Sequence, residues 1–585
     1  MSSASTLDPT GRRPNVSSPG DRRRDTAPRR GRTGIVITIV VALILSAVLQ
    51  QVAFSYRNRA VNRNRPDANP AASRLANLDS FSLALLLGGL RGPLVMFLWT
   101  QSEQQKSEKD LEGFDTQVEL IRLLQPEFAS VHLFQIWNKA YNISVQMASL
   151  ANKYASILDA IEYARRTDRM NPNDINIISA IGGLYAEKLG NSAEKEYYRR
   201  RVRSETLPVY RVTFPKPRVE EFRKAVRDAG LDESRVRIDQ TGDPAVATID
   251  KLGGDRVLAS FTGPDVAKTA VPRQKLRPET QTGRRFEMDT LVDEKGNLLP
   301  EYITPSAPIP GADPKGNNGA ELQYLAQFQP FPYGVSPVAL GYNYYKRSQA
   351  LARYGRQKHI QLSDMVVDNQ PGLTLRVWSD EEWDRGRRLE QKAFANVAVD
   401  KQIRELRTSK LPLDTKPADA GPIEEAIFSY DRASKAAGAA IPEFTSHIER
   451  YPSGLQNFGS HLQTAHAVTH LTAADAAYLR AVVASSPEAR TKLLETAKAE
   501  YLEAMRRYYI LTLGYYVLDP DMKAVGYTRE SLPAMTVEQL EDLMGKFFKR
   551  VETVYKDTRA VPNGEDISEY RENVQRIKDR LSLIK

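Results

Sequence analysis

Three short stretches of this chain hold residue types that can do chemistry. In HLQTAHAVTH, His466 and His470 sit one helical turn apart with His461 nearby, so the pair can face one metal ion. A zinc protease needs glutamate directly after the first histidine, and Ala467 stands there, so the stretch reads as polar helix and no metal ligand is assigned. In SDEEWDRG, Glu381, Glu382 and Asp384 suggest acid–base work. Ser379 followed by Glu382 spells a capping box, which places the three acids in the first turn of a helix and favours capping. FQIWNKAYNIS, Phe134 to Ser144, packs Trp, Tyr, Asn and Phe into one turn after another. It is either a ligand-binding constellation or the inner face of a helix.

Other chemistry finds little footing. GGLRG and LGGDRV lack phosphate-loop spacing, and neither a G-x4-G-K-[ST] nor a G-x-S-x-G motif occurs. The chain has no cysteine, which excludes disulfides, thiolate zinc sites, iron–sulfur clusters and cysteine nucleophiles. His132, His359 and His447 are scattered and receive no role. No cofactor, metal or catalytic residue is assigned.

The elements that must position these residues begin with a basic tail. Residues 1–33 hold eight arginines against Asp8, Asp21 and Asp25, with Pro and Ser between them, a composition that buries nothing and predicts disorder. Half of the net +10 charge sits there, so a nucleic-acid partner is not expected. Gly34–Tyr56 is uncharged over the length of a bilayer core and predicts one transmembrane helix. Arginines flank both ends, and the longer basic tail favours a cytoplasmic N-terminus with the bulk periplasmic. A second apolar stretch, Phe81–Trp99, carries Arg91 among Gly88, Gly89, Gly92 and Pro93, which predicts two short buried helical pieces.

After a linker at 57–76, residues 77–205 show helical periodicity. Helix, proline turn and helix occur twice, at Pro126 and Pro172, 46 residues apart. Phe134, Trp137, Asn138 and Tyr141 align with Ile178, Ile181, Gly182 and Tyr185, and Leu340, Gly341 and Tyr344 repeat the same phase. The pattern resembles the tetratricopeptide repeat, whose small residue lets a paired helix approach while aromatics fill the groove. Residues 206–332 switch to short alternating runs punctuated by Gly, Pro and Asp, including a turn at DEKGN. They read as an insertion lying on the helical body, with a small separate α+β module as the alternative. Residues 333–585 resume helices with clear starts: Ser336–Pro337, Ser486–Pro487 and the capping box Thr536–Gln539.

The expected fold class is mainly α: an irregular, TPR-like helical-hairpin solenoid with a partly β insertion, preceded by one transmembrane helix. LLLGGLRGPLVMFLW, LQPEF, FQIWNKAYNIS, ARRTDRMNPND and PYGVSPVALGYNYYKR together resemble membrane-anchored TPR-like proteins of planctomycete bacteria. Some of these are labelled iron-responsive-element proteins. The anchor and the TPR-like body, whose grooves bind peptides or helices, lead to the expectation of a non-enzymatic envelope scaffold of the bacterial inner membrane, with other envelope or membrane proteins as partners and the lipid bilayer held by 34–56. The resemblance carries over no catalytic residue. On this phase Phe134, Trp137 and Tyr141 are packing, and Asn138, Lys139 and Asn142 are the candidate partner contacts. The competing expectation is an envelope hydrolase with paired acids in 206–332.

Overall fold

A computed structural model describes residues 91–107, 129–271, 333–354, 364–394, 420–554 and 568–584, apart from 172, 208, 232, 234 and 235, together with 117, 120 and 121. The chain is mainly helical with one small antiparallel sheet. It divides into two compact units, Met1–Gln101 and Ser102–Lys585. Among the described residues no helix is long and apolar enough to cross a membrane. The apolar run Gly34–Tyr56, the basic tail, Pro126, Pro172 and residues 272–332 lie outside them.

Of the second apolar stretch, the described part forms one helix, α1 (Arg91–Ser107). Met96 and Phe97 on it are exposed, where short buried pieces are expected. Gly92 and Pro93 both lie within it.

Two helical hairpins come next. The first joins α2 (Ala129–Trp137), a widened π-helical turn (Asn138–Ile143) and α3 (Ser144–Gln146) to α4 (Leu150–Met170). The second joins α5 (Ile175–Gly183) and another π-helical turn (Leu184–Leu189) to α6 (Lys195–Thr206). Side chains start these helices as their sequences prescribe. Ser149 accepts the Asn152 amide at 3.1 Å, and Asp174 accepts those of Asn176 and Ile177. Antiparallel pairing is fixed by His132 against Tyr163 and by Ser156 donating to the Lys139 carbonyl.

The repeat step is 46 residues. Ala129 corresponds to Ile175 and Asn138 to Leu184, and the buried set Val131, His132, Gln135 and Ile136 matches Ile177, Ile178, Ile181 and Gly182. This corrects the alignment of Phe134 with Ile178, which runs two residues short. On the true register Trp137 corresponds to Gly183, not to the buried Ile181.

Gly182 and Gly341 perform the expected close approach. The second hairpin crosses α9 (Pro337–Tyr354), where a Cβ on Gly182 would stand 2.9 Å from the Tyr345 ring and one on Gly341 2.6 Å from the Ala186 methyl. Tyr185 and Tyr344 stack between them at 5.8 Å. The crossing is therefore locally two-fold: glycine, tyrosine and the next turn of each helix meet their counterparts on the other.

Between α6 and α9 lies a module with its own core. Strands β1 (Val209–Phe214), β2 (Arg237–Asp239), β3 (Ala245–Asp250) and β4 (Ala267–Val271) alternate with α7 (Val219–Asp228) and α8 (Lys251–Ser260). The order β2-β3-β1-β4, antiparallel throughout, is the split β-α-β-β-α-β arrangement. Strand alternation turns Tyr210, Val212 and Phe214 inward with Ala245, Ala247 and Ile249, and the rings of Phe214, Phe222 and Phe261 meet at 4.7–5.2 Å. The described part of 206–332 thus forms a small α+β unit, with Arg256 reaching Glu424 of the helical body at 3.0 Å.

Four long helices carry most of the remaining core: α10 (Asp364–Ala393), α11 (Ala420–Arg450), α12 (Leu455–Val483) and α13 (Pro487–Tyr515). Each packs antiparallel on the next, as Ser379 with Ala433, Ser434 with Thr469 and Tyr501 with Asp475 show. The chain ends in α14 (Asp519–Val525), α15 (Val537–Val554) and α16 (Ser568–Leu583). Ser486 caps α13 through the Ala489 amide, and Thr536 and Gln539 exchange both bonds of a capping box before α15.

Candidate functional site

A buried group of ionisable side chains forms where the second hairpin meets the long helices. SDEEWDRG does not start a helix. It lies in the middle of α10, and Ser379 donates to the Ala433 carbonyl of α11 instead of capping. The capping expectation is overturned because α10 begins at Asp364, so at residues 379–384 the backbone amides are already bonded within the helix.

What holds Glu381 and Glu382 is arginine. Arg203 of α6 donates to Glu381 Oε1 at 2.8 Å and to Glu382 Oε1 at 2.9 Å, forking across both carboxylates. Ser336, at the start of α9, donates to Glu381 Oε2, and Arg199 lies 3.8 Å from the same oxygen. Arg432 of α11 stands 3.7 Å from Glu382 and over the Trp378 ring, while Arg385 bonds Ser429 and Glu425. Both carboxylates are buried. Burial alone would raise the Glu382 carboxyl, but the guanidiniums of Arg203, Arg432 and Arg385 bring it down to about 2. Arg432 is pulled down to about 10, by burial first and then by its arginine neighbours. A carboxyl held that low stays charged near neutral pH, so Glu382 joins α6, α10 and α11 as a permanent anion.

Two further buried clusters repeat the device. Asp368 accepts from Arg353 at 2.5 Å and from His447 Nδ1 at 2.8 Å, while Gln349 bridges its backbone to Glu443, which also binds Lys346. Arg347 reaches Asp168 of α4 at 3.0 Å. At the other end of the long helices, Asp475 and Glu390 receive Arg576 and Arg580 of α16. His447, which the sequence gives no role, is fully buried against Phe458. Its only sequence signal is a place in a helix whose apolar face surrounds it.

The histidine stretch divides three ways on α12. His461 lies against Phe444 and Arg376, His470 bonds Glu500 at 2.6 Å, and His466 faces Arg507 and Glu503. Burial first, then nearby arginine, lowers His461 and His466 to about 4. Among the described residues no group of three or more His, Asp or Glu side chains is placed to hold a metal.

In FQIWNKAYNIS two side chains reverse the expected orientation, while Tyr141 packs partly buried against the core as expected. Asn138 is only 2% exposed, whereas Trp137 is 47% exposed. Lys139 binds Asp159 at 3.0 Å, and Asn142 donates to Asn138 Oδ1 at 2.9 Å. The cause lies before the π-helical turn: two successive three-residue steps from Val131 to Trp137 fall about 120° short of whole helical turns, so Trp137 leaves the face on which Val131, Gln135 and Ile136 are buried. Phe134, Trp137 and Tyr141 stand in line with ring centroids 6.4 Å apart, and the Lys188 ammonium lies 4.9 Å over Tyr141.

In the α+β module the acids pair locally. Glu221 and Asp265 share Arg218, and Glu233 takes Arg227 beside a shallow cleft of about 240 Å³ lined by Arg223, Val226 and Ile238. Comparison with protein-family models, characterised proteins and solved structures finds no match.

Proposed function

We propose that this protein is a scaffold that holds other proteins at the bacterial envelope, anchored through Gly34–Tyr56, with a cytoplasmic N-terminus and its TPR-like body in the periplasm. Partner proteins dock on the first hairpin and not on an acid–base centre. The observation that carries the reading is the outward Trp137, aligned with Phe134 and Tyr141 on a repeated hairpin. An exposed Trp on a rigid helix supplies large contact area at little entropic cost, and such residues dominate binding energy at protein interfaces. The buried ion pairs support the same reading, because Arg347 of α9 holds Asp168 of the first hairpin and helps keep the docking face rigid.

Site-specific photocrosslinking in intact membranes tests it. A crosslinker at position 137 should give discrete protein adducts that a crosslinker at the exposed Glu488, on the far helix α13, does not. Trp137→Ala should reduce co-purification of the same adduct partner at unchanged expression. Equal adducts from both positions, or none from 137, would sink the scaffold reading. An alkaline phosphatase fusion after residue 206 tests the topology: activity is expected, and silence refutes a periplasmic body.

A further inference from the structure

The last helix adds a pair of buried arginines to its apolar contacts. Among the described residues, α16 and the chain end bury Asn573, Arg576 and Arg580 beside Ile577 and Ile584, while Val574, Leu581 and Leu583 pack partly buried against the same core. The two arginines meet buried acids there. Arg576 donates to Asp475 Oδ2 at 2.8 Å, and Tyr501 donates to Asp475 Oδ1 at 2.7 Å. Arg580 binds Glu390 and lies 4.2 Å over the Tyr478 ring, while Tyr430 donates to Glu390 Oε2 at 2.7 Å. Tyr570 meets the Tyr516 hydroxyl at 2.9 Å.

Two arginines one helical turn apart therefore meet two buried acids from separate helices, α10 and α12, each acid already braced by a tyrosine hydroxyl. Arg, Tyr and Trp with matched charges are the composition of a protein–protein interface more than of a core. An ionic interface of this kind gives selectivity out of proportion to its net stability, because the desolvation of both charges offsets their attraction. Arg580 Nε is buried without a hydrogen bond, so the fit is incomplete even with the helix in place.

We propose that the Glu390–Asp475 groove is a receptor for an Arg-x3-Arg helix, and that α16 is its exchangeable resident, replaceable by the same helix of a second copy of this chain. An empty groove leaves two buried carboxylates unpaired, so the groove exchanges occupants and does not stand open. Residues 555–567 join α16 to α15 along the chain.

The test uses the full chain with a protease site introduced between Val554 and Ser568, cleaved after folding. A fluorescent peptide of residues 568–585 should bind the cleaved chain saturably by anisotropy and displace the native helix. Arg576→Ala/Arg580→Ala in the peptide should weaken binding by about 100-fold or more, and Asp475→Asn in the chain should do the same to the unaltered peptide. Two differently labelled uncut chains should form helix-exchanged pairs at high concentration. The proposal is overturned by a native helix that never exchanges, or by a chain that unfolds on cleavage, which would make α16 part of the core. A scrambled peptide of equal charge that binds as well would overturn it too, by reducing the effect to net charge.

Discussion

The α+β module and the long-helix body bury material in opposite ways. The module closes over three phenylalanines and leaves its charges outside, paired with neighbours such as Arg218 with Glu221 or Arg227 with Glu233. The body buries its charges and pairs them across the chain: Arg203 with Glu381 and Glu382, Arg347 with Asp168, Arg576 with Asp475, Arg580 with Glu390. A module of this size can satisfy burial locally with apolar side chains. Long helices joined only to their neighbours need something that fixes which face meets which, and charge pairs do that because a mispaired buried charge is strongly penalised.

The largest expected effect is on the hub. Arg203→Ala leaves two buried carboxylates short of their main cation, and urea unfolding should show a loss of about 3–5 kcal/mol. Phe222→Ala should cost a similar ~3–5 kcal/mol but only locally. Hydrogen exchange should speed up within 209–271 and stay unchanged in α10 to α13. If Phe222→Ala loosens the long helices as well, the two regions are not independent in the way the packing implies. Gly341→Ala, which drives a methyl into Ala186 at the two-fold crossing, should cost about 1–3 kcal/mol in the same unfolding assay.

Acid acts on the body in two successive windows. The fold holds His461 and His466 at about 4 against an ordinary 6.5, so between those values the unfolded chain takes up protons that the body refuses. Stability of the body should therefore fall as pH drops from 6.5 to 4. Glu382, ordinarily at 4.5 and held at about 2, extends the loss below that. Melting temperatures measured from pH 7 to 4 should fall less steeply for His461→Gln than for the unaltered chain. The smallest effect belongs to the module surface: Arg227→Ala should change stability by less than about 0.5 kcal/mol, and a larger loss would show that the exposed pairs are more than solvated neighbours.

Much of the fold is legible in local sequence. Ser486–Pro487, Ser336–Pro337 and Thr536–Gln539 mark helix starts that the structure has, and the 46-residue step read from two prolines is the step between the two hairpins. The glycines at 182 and 341 announce a close crossing, which occurs. The candidate site is illegible at two places for two different reasons. Spacing points Trp137 inward because steps of three residues are read as one face, whereas each falls about 60° short of a whole turn and two of them carry Trp137 off the face that buries Val131. Glu381 and Glu382 look like part of a cap because the S-x-x-E pattern is the same at a helix start and within a helix.

The sequence by itself determined where helices begin, which stretch alternates as strands and where small residues permit close contact, because each depends on neighbours within a turn or two. Tertiary structure alone decided which charges are buried and with whom. Arg203 and Glu381 are 178 residues apart and Arg580 and Glu390 are 190 apart. Charged side chains read as surface until a partner from elsewhere in the chain makes burial tolerable, and one chain's local pattern does not name that partner.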